Sequence, residues 1–247
     1  MISVCIATYN GEKYIKEQLD SIINQIKEDD EIVISDDNST DRTLEIINSY
    51  KDKRIKIYHS NARNFKKNFE NALGNANGDI IFLSDQDDVW IDGKYEMCVS
   101  ALQKYDLVVT DSTVVDENLN IIYPSFFSYY KSGPGIIKNL YDNTYFGACM
   151  AFKRNILEEA LPLPQSNEIG HDVWIGLVGE IVGNVHFIEK SYLYYRRHGK
   201  SLTNLTPKLK NRSQRPLFTK ILGRAIMAKE VFFFYIRYKL HKICKTT

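Results

Sequence analysis

Four short apolar runs, rich in isoleucine and valine, constrain the fold of this 247-residue chain more than any other feature. They cover residues 2–6, 31–34, 79–83 and 106–109, and segments with helical spacing of apolar residues lie between them. Such runs are typical of strands that are buried on both faces, as in parallel sheets. Strands that alternate with helices predict an α/β fold with a Rossmann-like, mostly parallel sheet and helices on both faces.

Polar residues follow each of the first three runs. Thr8 and Tyr9 come after the first, Asp36 and Asp37 after the second, and residues 84–88 after the third. Open α/β sheets bind ligands at the carboxyl ends of their strands, so we expect these loops to converge on one crevice. The sequence therefore predicts a ligand site rich in carboxylates.

Asp85, Asp87 and Asp88 place three acids within four residues at the end of the third run. Like charges this close repel one another unless a cation neutralises them. Mg²⁺ or Mn²⁺ suits such a site, because a hard cation binds carboxylates and completes its coordination with water and diphosphate oxygens. The alternative is a solvated turn that caps the helix after Trp90.

Asp36 and Asp37 can accept hydrogen bonds from a nucleobase N–H or from ribose hydroxyls. Either residue can instead cap the helix that begins near Thr40. The sequence contains neither G-x-G-x-x-G nor G-x-x-x-x-G-K-[ST], which argues against a dinucleotide-dependent oxidoreductase and a P-loop enzyme. A diphosphate at this site would therefore need a metal ion.

Three ordered motifs resemble those of the family 2 glycosyltransferases, which have the GT-A fold. The motifs are SVCIATYNG at residues 3–11, SDDNSTDRT at 35–43 and SDQDDVW at 84–90. The resemblance covers residues 1–204 and is closest to bacterial members that build surface polysaccharides, including a rhamnosyltransferase-like branch. It implies an inverting, metal-dependent transfer of a sugar from a nucleotide-diphosphate donor to a carbohydrate acceptor.

The resemblance also implies roles for individual residues. The implied nucleotide-binding residues are Thr8, Tyr9, Glu12, Asp36, Asp37 and Arg63. Asp85 and Asp87 would form the D-x-D that holds the metal ion and the diphosphate. For Arg63 the alternative is an ordinary surface cation.

Two later segments match the family's catalytic and diphosphate motifs. Asp172 would be the base that takes the proton from the acceptor hydroxyl, and a helix N-cap is its alternative. In the segment 196–199, Arg197 would bind the leaving diphosphate, and His198 would bind it as well or ligate the metal. A plain surface histidine is the alternative for His198. Residues 146–149 would contact the sugar on the acceptor side.

The net charge of +1 conceals an uneven distribution. Residues 205–247 carry eleven Lys or Arg and one Glu, a net charge of +10, so residues 1–204 carry −9. We therefore predict two units, a glycosyltransferase domain over 1–204 and a basic helical extension over 205–247. An acidic body and a basic tail are expected to meet different partners.

Apolar residues recur at helical spacing over residues 217–243, which predicts a basic amphipathic helix. We expect this helix to lie on an anionic membrane surface. The first alternative is that it docks Phe232, Tyr235 and Ile236 on the globular core. The second is nucleic-acid binding, against which the absence of a recognised binding motif in the sequence argues.

The expected donor is a dTDP- or UDP-linked sugar, and the expected acceptor is a saccharide on a lipid carrier. We expect the protein in the cytoplasm, peripheral on the inner face of the membrane, since no run reaches the ~18 apolar residues of a spanning helix and no basic leader precedes the first strand. One alternative is a sugar-nucleotide pyrophosphorylase, which needs a glycine-rich basic first loop that residues 8–12 lack. Another is a nucleotide-sugar-binding scaffold without turnover, against which the intact Asp85, Asp87 and Asp172 argue.

Overall fold

The computed structural model of the protein describes residues 1–198 and 216–246. In this part of the chain the strands are β1 (Ile2–Thr8), β2 (Glu31–Asp36), β3 (Ile55–His59), β4 (Ile80–Asp85), β5 (Val89–Trp90), β6 (Leu107–Val115), β7 (Ile121–Tyr123), β8 (Met150–Lys153) and β9 (Val185–Arg196). The helices are α1 (Ile15–Ile23), α2 (Thr43–Ser49), α3 (Phe65–Gly74), α4 (Lys94–Ala101), α5 (Phe126–Tyr130), α6 (Ile136–Tyr141), α7 (Arg154–Ala160), α8 (His171–Val182) and α9 (Leu217–Thr246). A 3₁₀ turn covers Gly147–Cys149.

The strands form a single sheet in the order β3-β2-β1-β4-β8-β6-β9-β5, and β7 pairs with β6 at its side. β1 is parallel to β2 and β4, and β2 is parallel to β3. β8 is antiparallel to both β4 and β6, so β4 and β6 run in the same direction, and β9 is parallel to β6. The carboxyl ends of β1, β2, β4, β6 and β9 therefore meet at one edge of the sheet. The predicted α/β class and mostly parallel sheet are confirmed.

Burial explains why the strand sequences are so apolar. β1, β2 and β6 are buried along their whole length, so both faces favour apolar residues, and the polar residues of these strands are buried as well. Right-handed crossovers place α1 and α2 on one face of the sheet, and the reversed direction from β3 to β4 places α3 on the other. α8 packs against α3, α7 and the 3₁₀ turn, so it lies on the same face as α3.

Two segments differ from the sequence prediction. The aromatic composition of residues 124–145, interrupted by Gly and Pro, predicts an irregular connection, but the segment includes the short helices α5 and α6. The hydroxyl of Ser125 accepts a hydrogen bond from the amide of Ser128 at 3.0 Å and so caps the start of α5. This capping serine is the sequence signal for the helix, but it is hard to recognise in a segment so rich in aromatic residues. The sequence predicts a strand over 147–152, but the strand begins only at Met150, because the amide of Cys149 donates a hydrogen bond to the carbonyl of Phe146 at 3.0 Å and forms the 3₁₀ turn.

The C-terminal helix α9 docks on α6 and α8 through one of its faces. Val231 and Phe234 are buried, and the ring of Phe234 meets that of Trp174 with centroids 5.5 Å apart. The three residues named as core contacts in the docking alternative stay 40–59% exposed; they are Phe232, Tyr235 and Ile236. The assignment of these three residues to the docked face is wrong. α9 carries apolar side chains on both faces, and the face that it buries is the one with Val231 and Phe234.

The predicted boundary between residues 204 and 205 lies outside the described residues, as does the start of the predicted extension. Within residues 1–198 and 216–246, no helix combines the length and the apolar character needed to cross a membrane.

Candidate active site

Side chains at the carboxyl ends of β1 and β2 bind each other. The hydroxyl of Thr8 donates to Asp36 at 2.9 Å, and Asp36 also accepts from the amide and the hydroxyl of Ser39 at 2.9 and 2.6 Å. Both Thr8 and Asp36 are fully buried. These contacts fix the shape of the two loops, and direct contact of either residue with a nucleotide stays a prediction.

Asp37 holds a third loop against the other two. Its carboxylate accepts hydrogen bonds from the backbone amides of Arg63 at 3.1 Å and Asn64 at 3.0 Å. Arg63 has a left-handed backbone with φ of 44°, which is uncommon outside glycine, so these two bonds help to hold it. The structure thus brings Asp37 and the exposed Arg63 together at the edge beside β2.

Gln86 connects the first loop to the acidic loop. Its amide group accepts from the backbone N–H of Tyr9 at 2.9 Å and donates to the carbonyl of Tyr9 at 3.1 Å. Gly11 lies so close that a Cβ there would be 2.5 Å from Oε1 of Gln86. The middle residue of the D-x-D, to which the sequence analysis gave no role, therefore sets the distance between these loops.

Tyr9 and Glu12 of the first loop have different environments. The side chain of Tyr9 is among the large apolar groups exposed to solvent, with the residue 57% accessible. Glu12 accepts a hydrogen bond from the backbone N–H of Arg42 at 3.0 Å and so supports the start of α2. Tyr9 is free to contact a ligand, whereas Glu12 already has a structural role.

Asp85, Asp87 and Asp88 form a compact acidic cluster at the end of β4. One carboxylate oxygen of each lies within 4.8 Å of the others. Burial and the negative charges of Asp87 and Asp172 raise the pKa of Asp85 to about 8. Burial, with the charges of Asp87 and Asp85, also raises the pKa of Asp88.

An unpartnered oxygen shows that this acidic cluster fits a cation. Oδ2 of Asp88 is buried and has no hydrogen-bond partner in the described part of the chain. Such an oxygen is stabilised by a proton or by a positive ion. All three side chains offer the carboxylate oxygens that Mg²⁺ and Mn²⁺ prefer, so the residues present fit the predicted metal.

Arg196 anchors the acidic cluster, although the sequence analysis gave it no individual role. Its side chain is 3% exposed, and its Nε donates to the carbonyl of Asp87 at 2.7 Å. Its backbone amide donates to Asp88 at 2.8 Å. The guanidinium also pairs with Glu17 of α1 and lies over the ring of Tyr14, with Cζ 4.8 Å from the centroid.

Arg197 does not join the acidic cluster. Side chains alternate along a strand, so Arg196 and His198 share one face at the end of β9, and Arg197 points to the other. His198 reaches Asp87, whereas Cζ of Arg197 lies 5.9 Å from the ring centroid of Tyr195. Contact between Arg197 and a diphosphate stays a prediction.

Lys94, which the sequence analysis did not single out, is fully buried beneath the acidic cluster. Its ammonium donates to the carbonyl of Ala148 at 2.6 Å and lies 4.7 Å from the ring centroid of Trp90. Burial lowers its pKa, while Asp88 and Asp85 act in the opposite direction. Lys94 thus connects the helix after the acidic loop to the 3₁₀ turn.

Asp172 lies at the start of α8, on the same side of the sheet as this turn. Its negative charge contributes to the raised pKa of Asp85. Gly147 allows α8 to come close, since a Cβ there would lie 3.6 Å from Cβ of Asp172 and 3.0 Å from Nε2 of His171. The N-cap of α8 is Gly170, so Asp172 does not occupy the capping position that was its alternative.

The family described as "Glycosyl transferase family 2" matches residues 3–161. The match covers more than half of the chain, and the chain belongs to this family, as its three motifs indicated. Among curated relatives, the dTDP-rhamnosyl transferase RfbG of Shigella flexneri is 37% identical over 145 residues, which are 56% of this chain and 45% of that protein. The UDP-Glc:alpha-D-GlcNAc-diphosphoundecaprenol beta-1,3-glucosyltransferase WfgD of Escherichia coli is 31% identical over 108 residues, 43% of each chain.

A solved structure shows the same fold. Residues 1–349 of S. aureus TarS, in complex with UDP-GlcNAc, align with a TM-score of 0.67 at 22% identity, over 81% of this chain and 59% of that one. At this identity the likeness establishes the GT-A fold alone. The chain spans between 42% and 65% of the length of the curated relatives it matches.

Proposed function

We propose that the protein is an inverting glycosyltransferase that moves one sugar from a dTDP- or UDP-linked donor to a hydroxyl of a saccharide acceptor. The observation that carries this proposal is the packing at Gly147, where a Cβ would lie 3.6 Å from Cβ of Asp172 and 3.7 Å from Cδ1 of Leu83, two residues before Asp85 in β4. The start of α8 therefore lies near the edge where the carboxyl ends of β1, β2 and β4 meet. A base for the attacking hydroxyl and a candidate metal site for the leaving diphosphate are thereby close enough to act on opposite faces of one anomeric carbon.

On the donor side, Asp85, Asp87 and His198 are the residues that would hold Mg²⁺ or Mn²⁺. When bound, the ion supplies positive charge to the leaving diphosphate. Arg196 fixes the backbone of Asp87, so the cluster is organised before the donor binds. Preorganised charge of this kind is a large contribution to transition-state stabilisation.

On the acceptor side, Asp172 takes the proton from the acceptor hydroxyl as that oxygen attacks the anomeric carbon. Attack occurs from the face opposite the diphosphate, so the configuration at this carbon inverts. The half-buried position of Asp172 at the start of α8 leaves it accessible to the acceptor. Positioned bases of this kind contribute about 10²- to 10⁴-fold in rate.

The names of relatives support the substrate classes. RfbG is named a dTDP-rhamnosyl transferase, and WfgD is named for a UDP-Glc donor and a diphosphoundecaprenol-linked acceptor. We propose a dTDP- or UDP-linked donor and a lipid-linked saccharide acceptor in cell-surface polysaccharide synthesis. Membership in family 2 argues against the pyrophosphorylase alternative.

We further propose that α9 binds an anionic membrane surface on the cytoplasmic side. Its undocked face exposes a row of large apolar side chains: Leu217, Phe218, Ile221, Leu222, Phe232, Phe233, Tyr235, Ile236, Leu240 and Ile243. Cations accompany them, with Lys229 5.9 Å from the ring centroid of Phe233 and Lys239 5.5 Å from that of Tyr235. Apolar and basic groups on one exposed face are typical of helices that lie in a membrane interface.

The experiment for the enzymatic proposal is a thermal-shift screen of nucleoside diphosphates with Mn²⁺ or with EDTA, followed by a donor-hydrolysis assay. We expect dTDP or UDP to raise the melting temperature only with metal, and the matching sugar nucleotide to be hydrolysed slowly without acceptor. Stabilisation without any turnover would favour the scaffold alternative. If no nucleoside diphosphate stabilises the protein, the proposed function is wrong.

A further inference from the structure

Among the residues that the structure describes, two nitrogens of the Arg197 guanidinium have no hydrogen-bond partner. Nε and Nη1 are both buried, and neither has a hydrogen-bond partner within the described residues. In the sequence, residues 199–215, which follow His198, contain no Asp or Glu. Buried polar groups in proteins are nearly always hydrogen-bonded, and an exception calls for a specific explanation.

Arg197 borders a group of packed aromatic rings, here called the aromatic cluster and made up of Phe126, Tyr130, Phe146 and Tyr195. Ring centroids lie 4.0 Å apart for Phe126 and Phe146, 4.3 Å for Phe126 and Tyr130, and 6.4 Å for Phe146 and Tyr195. Tyr130, Phe146 and Tyr195 are each partly exposed. The cluster therefore presents aromatic surface to solvent beside the guanidinium.

The positive charge of Arg197 also acts on a second member of the aromatic cluster, Tyr130. Burial raises the pKa of Tyr130 to about 12, and the positive charge of Arg197 acts in the opposite direction. Arg197 therefore lies beside the aromatic cluster. Its backbone amide donates to the carbonyl of Val115, at the end of the sheet, at 2.8 Å.

The aromatic cluster is continuous with the acceptor side of the proposed active site. Phe146 directly precedes Gly147, the residue that packs against Asp172 and His171. Val115 and Arg196 end β6 and β9, whose carboxyl ends share the edge at which β4 presents Asp85. Arg197 thus lies at the same edge as the acidic cluster, but on the opposite face of β9 from Asp87.

We propose that Arg197 and the aromatic cluster bind an anionic group of the acceptor, a phosphate or a carboxylate. The inference rests on the proposed function, because it names a charge on the molecule that Asp172 activates. A guanidinium suits this task since its planar fork can donate two parallel hydrogen bonds to either oxyanion. Binding sites commonly join an apolar aromatic wall to a few placed polar groups in this way.

The two anion sources have different chemistry. A phosphate would belong to the linkage between the acceptor sugar and its lipid carrier, whereas a carboxylate would belong to an acidic sugar. The donor diphosphate is the competing occupant. The orientation of Arg197 away from Asp87 and His198 argues against it, since those residues mark where the donor's metal ion would be.

The test uses the full chain, its Arg197→Met and Arg197→Lys variants, and Lys53→Met as the matched control, because Lys53 is an exposed cation between α2 and β3. Melting temperatures are measured in EDTA against inorganic phosphate, glucuronate and, as a neutral probe, glucose, at constant ionic strength. The affinity for UDP or dTDP with Mn²⁺ is measured separately by calorimetry.

We expect phosphate or glucuronate, but not glucose, to raise the melting temperature of the wild type and of Lys53→Met. Arg197→Met should lose this response, and Arg197→Lys should keep only part of it. Without ligand, Arg197→Met should melt no lower than the wild type, since a buried polar group without a hydrogen bond destabilises a fold and the methionine removes two such groups. A response to phosphate alone indicates a phosphate-linked acceptor, and a response to glucuronate alone indicates an acidic sugar.

Three results would overturn the inference. The first is a wild type that responds to neither anion. The second is an Arg197→Met variant that melts several degrees lower without ligand, which would reveal a structural partner. The third is a tenfold or greater loss of nucleotide affinity in that variant, which would assign Arg197 to the donor diphosphate. The anion titration needs neither donor nor turnover, so its result is independent of whether the proposed function holds.

Discussion

Nε2 of His198 lies 2.7 Å from Oδ2 of Asp87, although 111 positions separate the two residues in the chain. The contact joins the end of β9 to the acidic loop after β4. The imidazole also stacks on the ring of Tyr14, which precedes α1, with centroids 4.7 Å apart. Three segments that are distant in the sequence therefore meet at Asp87. Substitution of this residue is the most direct test of the candidate metal site.

Replacing Asp87 with alanine should abolish sugar transfer and weaken nucleotide binding in the presence of Mn²⁺. The variant removes the carboxylate at the centre of the cluster, so the diphosphate would meet Asp85 and Asp88 with a weakly held cation between them. Calorimetry with UDP or dTDP, in Mn²⁺ and in EDTA, measures the effect. The matched control is Asp29→Ala, which removes an exposed acid away from the site. Equal affinity of the wild type in Mn²⁺ and EDTA would contradict the metal-dependent mechanism.

Replacing Asp172 with asparagine should leave nucleotide affinity unchanged and lower transfer by about 10²-fold or more, as expected when a positioned general base is lost. The amide has nearly the same shape but cannot take a proton from the acceptor. Initial transfer rates and nucleotide affinity, measured on the same preparation, separate chemistry from binding. If transfer proceeds at the wild-type rate, Asp172 is not the base.

The apolar runs were sufficient to predict β1, β2, β4 and β6, because strands buried on both faces leave a plain signal in sequence. The rule that strand ends share an edge then placed Asp37, Asp85 and Asp87 near one another. The contact of Arg196 with the acidic cluster could not be predicted in this way. The pairing of β6 with β9 shifts register near Thr110 and again between Asp111 and Thr113, so the face on which each later residue of β9 falls cannot be counted from its start.

The docking of α9 was also beyond sequence reasoning, for a different reason. Its apolar residues surround the helix, with Val231 and Phe234 on one side and Phe232 and Ile236 on the other. A periodic pattern identifies a buried face only when the opposite face is polar. Which face docks depends on the surface offered by α6 and α8, and that surface exists only in the folded chain.

Glu31 should give the protein a stabilising contribution that is lost in acid. It is buried on β2, and although burial acts to raise its pKa, hydrogen bonds from Lys56, Ser3 and Asn77 hold that pKa below its ordinary value of 4.5. A carboxyl with a depressed folded-state pKa stabilises the fold fully above its unfolded value and loses this effect as the pH falls through the folded one.

Glu31→Gln should therefore lower the free energy of unfolding at pH 7 by about 1.5–3 kcal/mol, the usual range for hydrogen bonds to a charged group. The difference from the wild type should shrink as the pH falls below 4.5. Urea unfolding at a series of pH values measures it, with the exposed Glu28→Gln as the control. A difference that is constant from pH 7 down to the acid transition would argue against this role.

The last prediction separates the two faces of α9. Phe232→Ser with Ile236→Ser alters only exposed positions one helical turn apart, so the melting temperature should change little while sedimentation with phosphatidylglycerol vesicles is lost. Phe234→Ala instead removes a buried ring that packs on Trp174 and should cost about 3–5 kcal/mol of stability. At a temperature where it remains folded, this inner variant should still sediment with vesicles.

Salt and lipid charge complete the test of α9, since Lys229, Lys239 and Lys242 are exposed on this helix. Raising the ionic strength from 0.1 M to 1 M shortens the Debye length from about 10 Å to about 3 Å, so binding to anionic vesicles should weaken. Neutral phosphatidylcholine vesicles should bind less at either concentration. If the outer double variant still sediments with anionic vesicles, the exposed face is not the membrane contact. If the wild type instead forms dimers that this variant abolishes, the face joins two copies of the chain, and the membrane proposal is wrong.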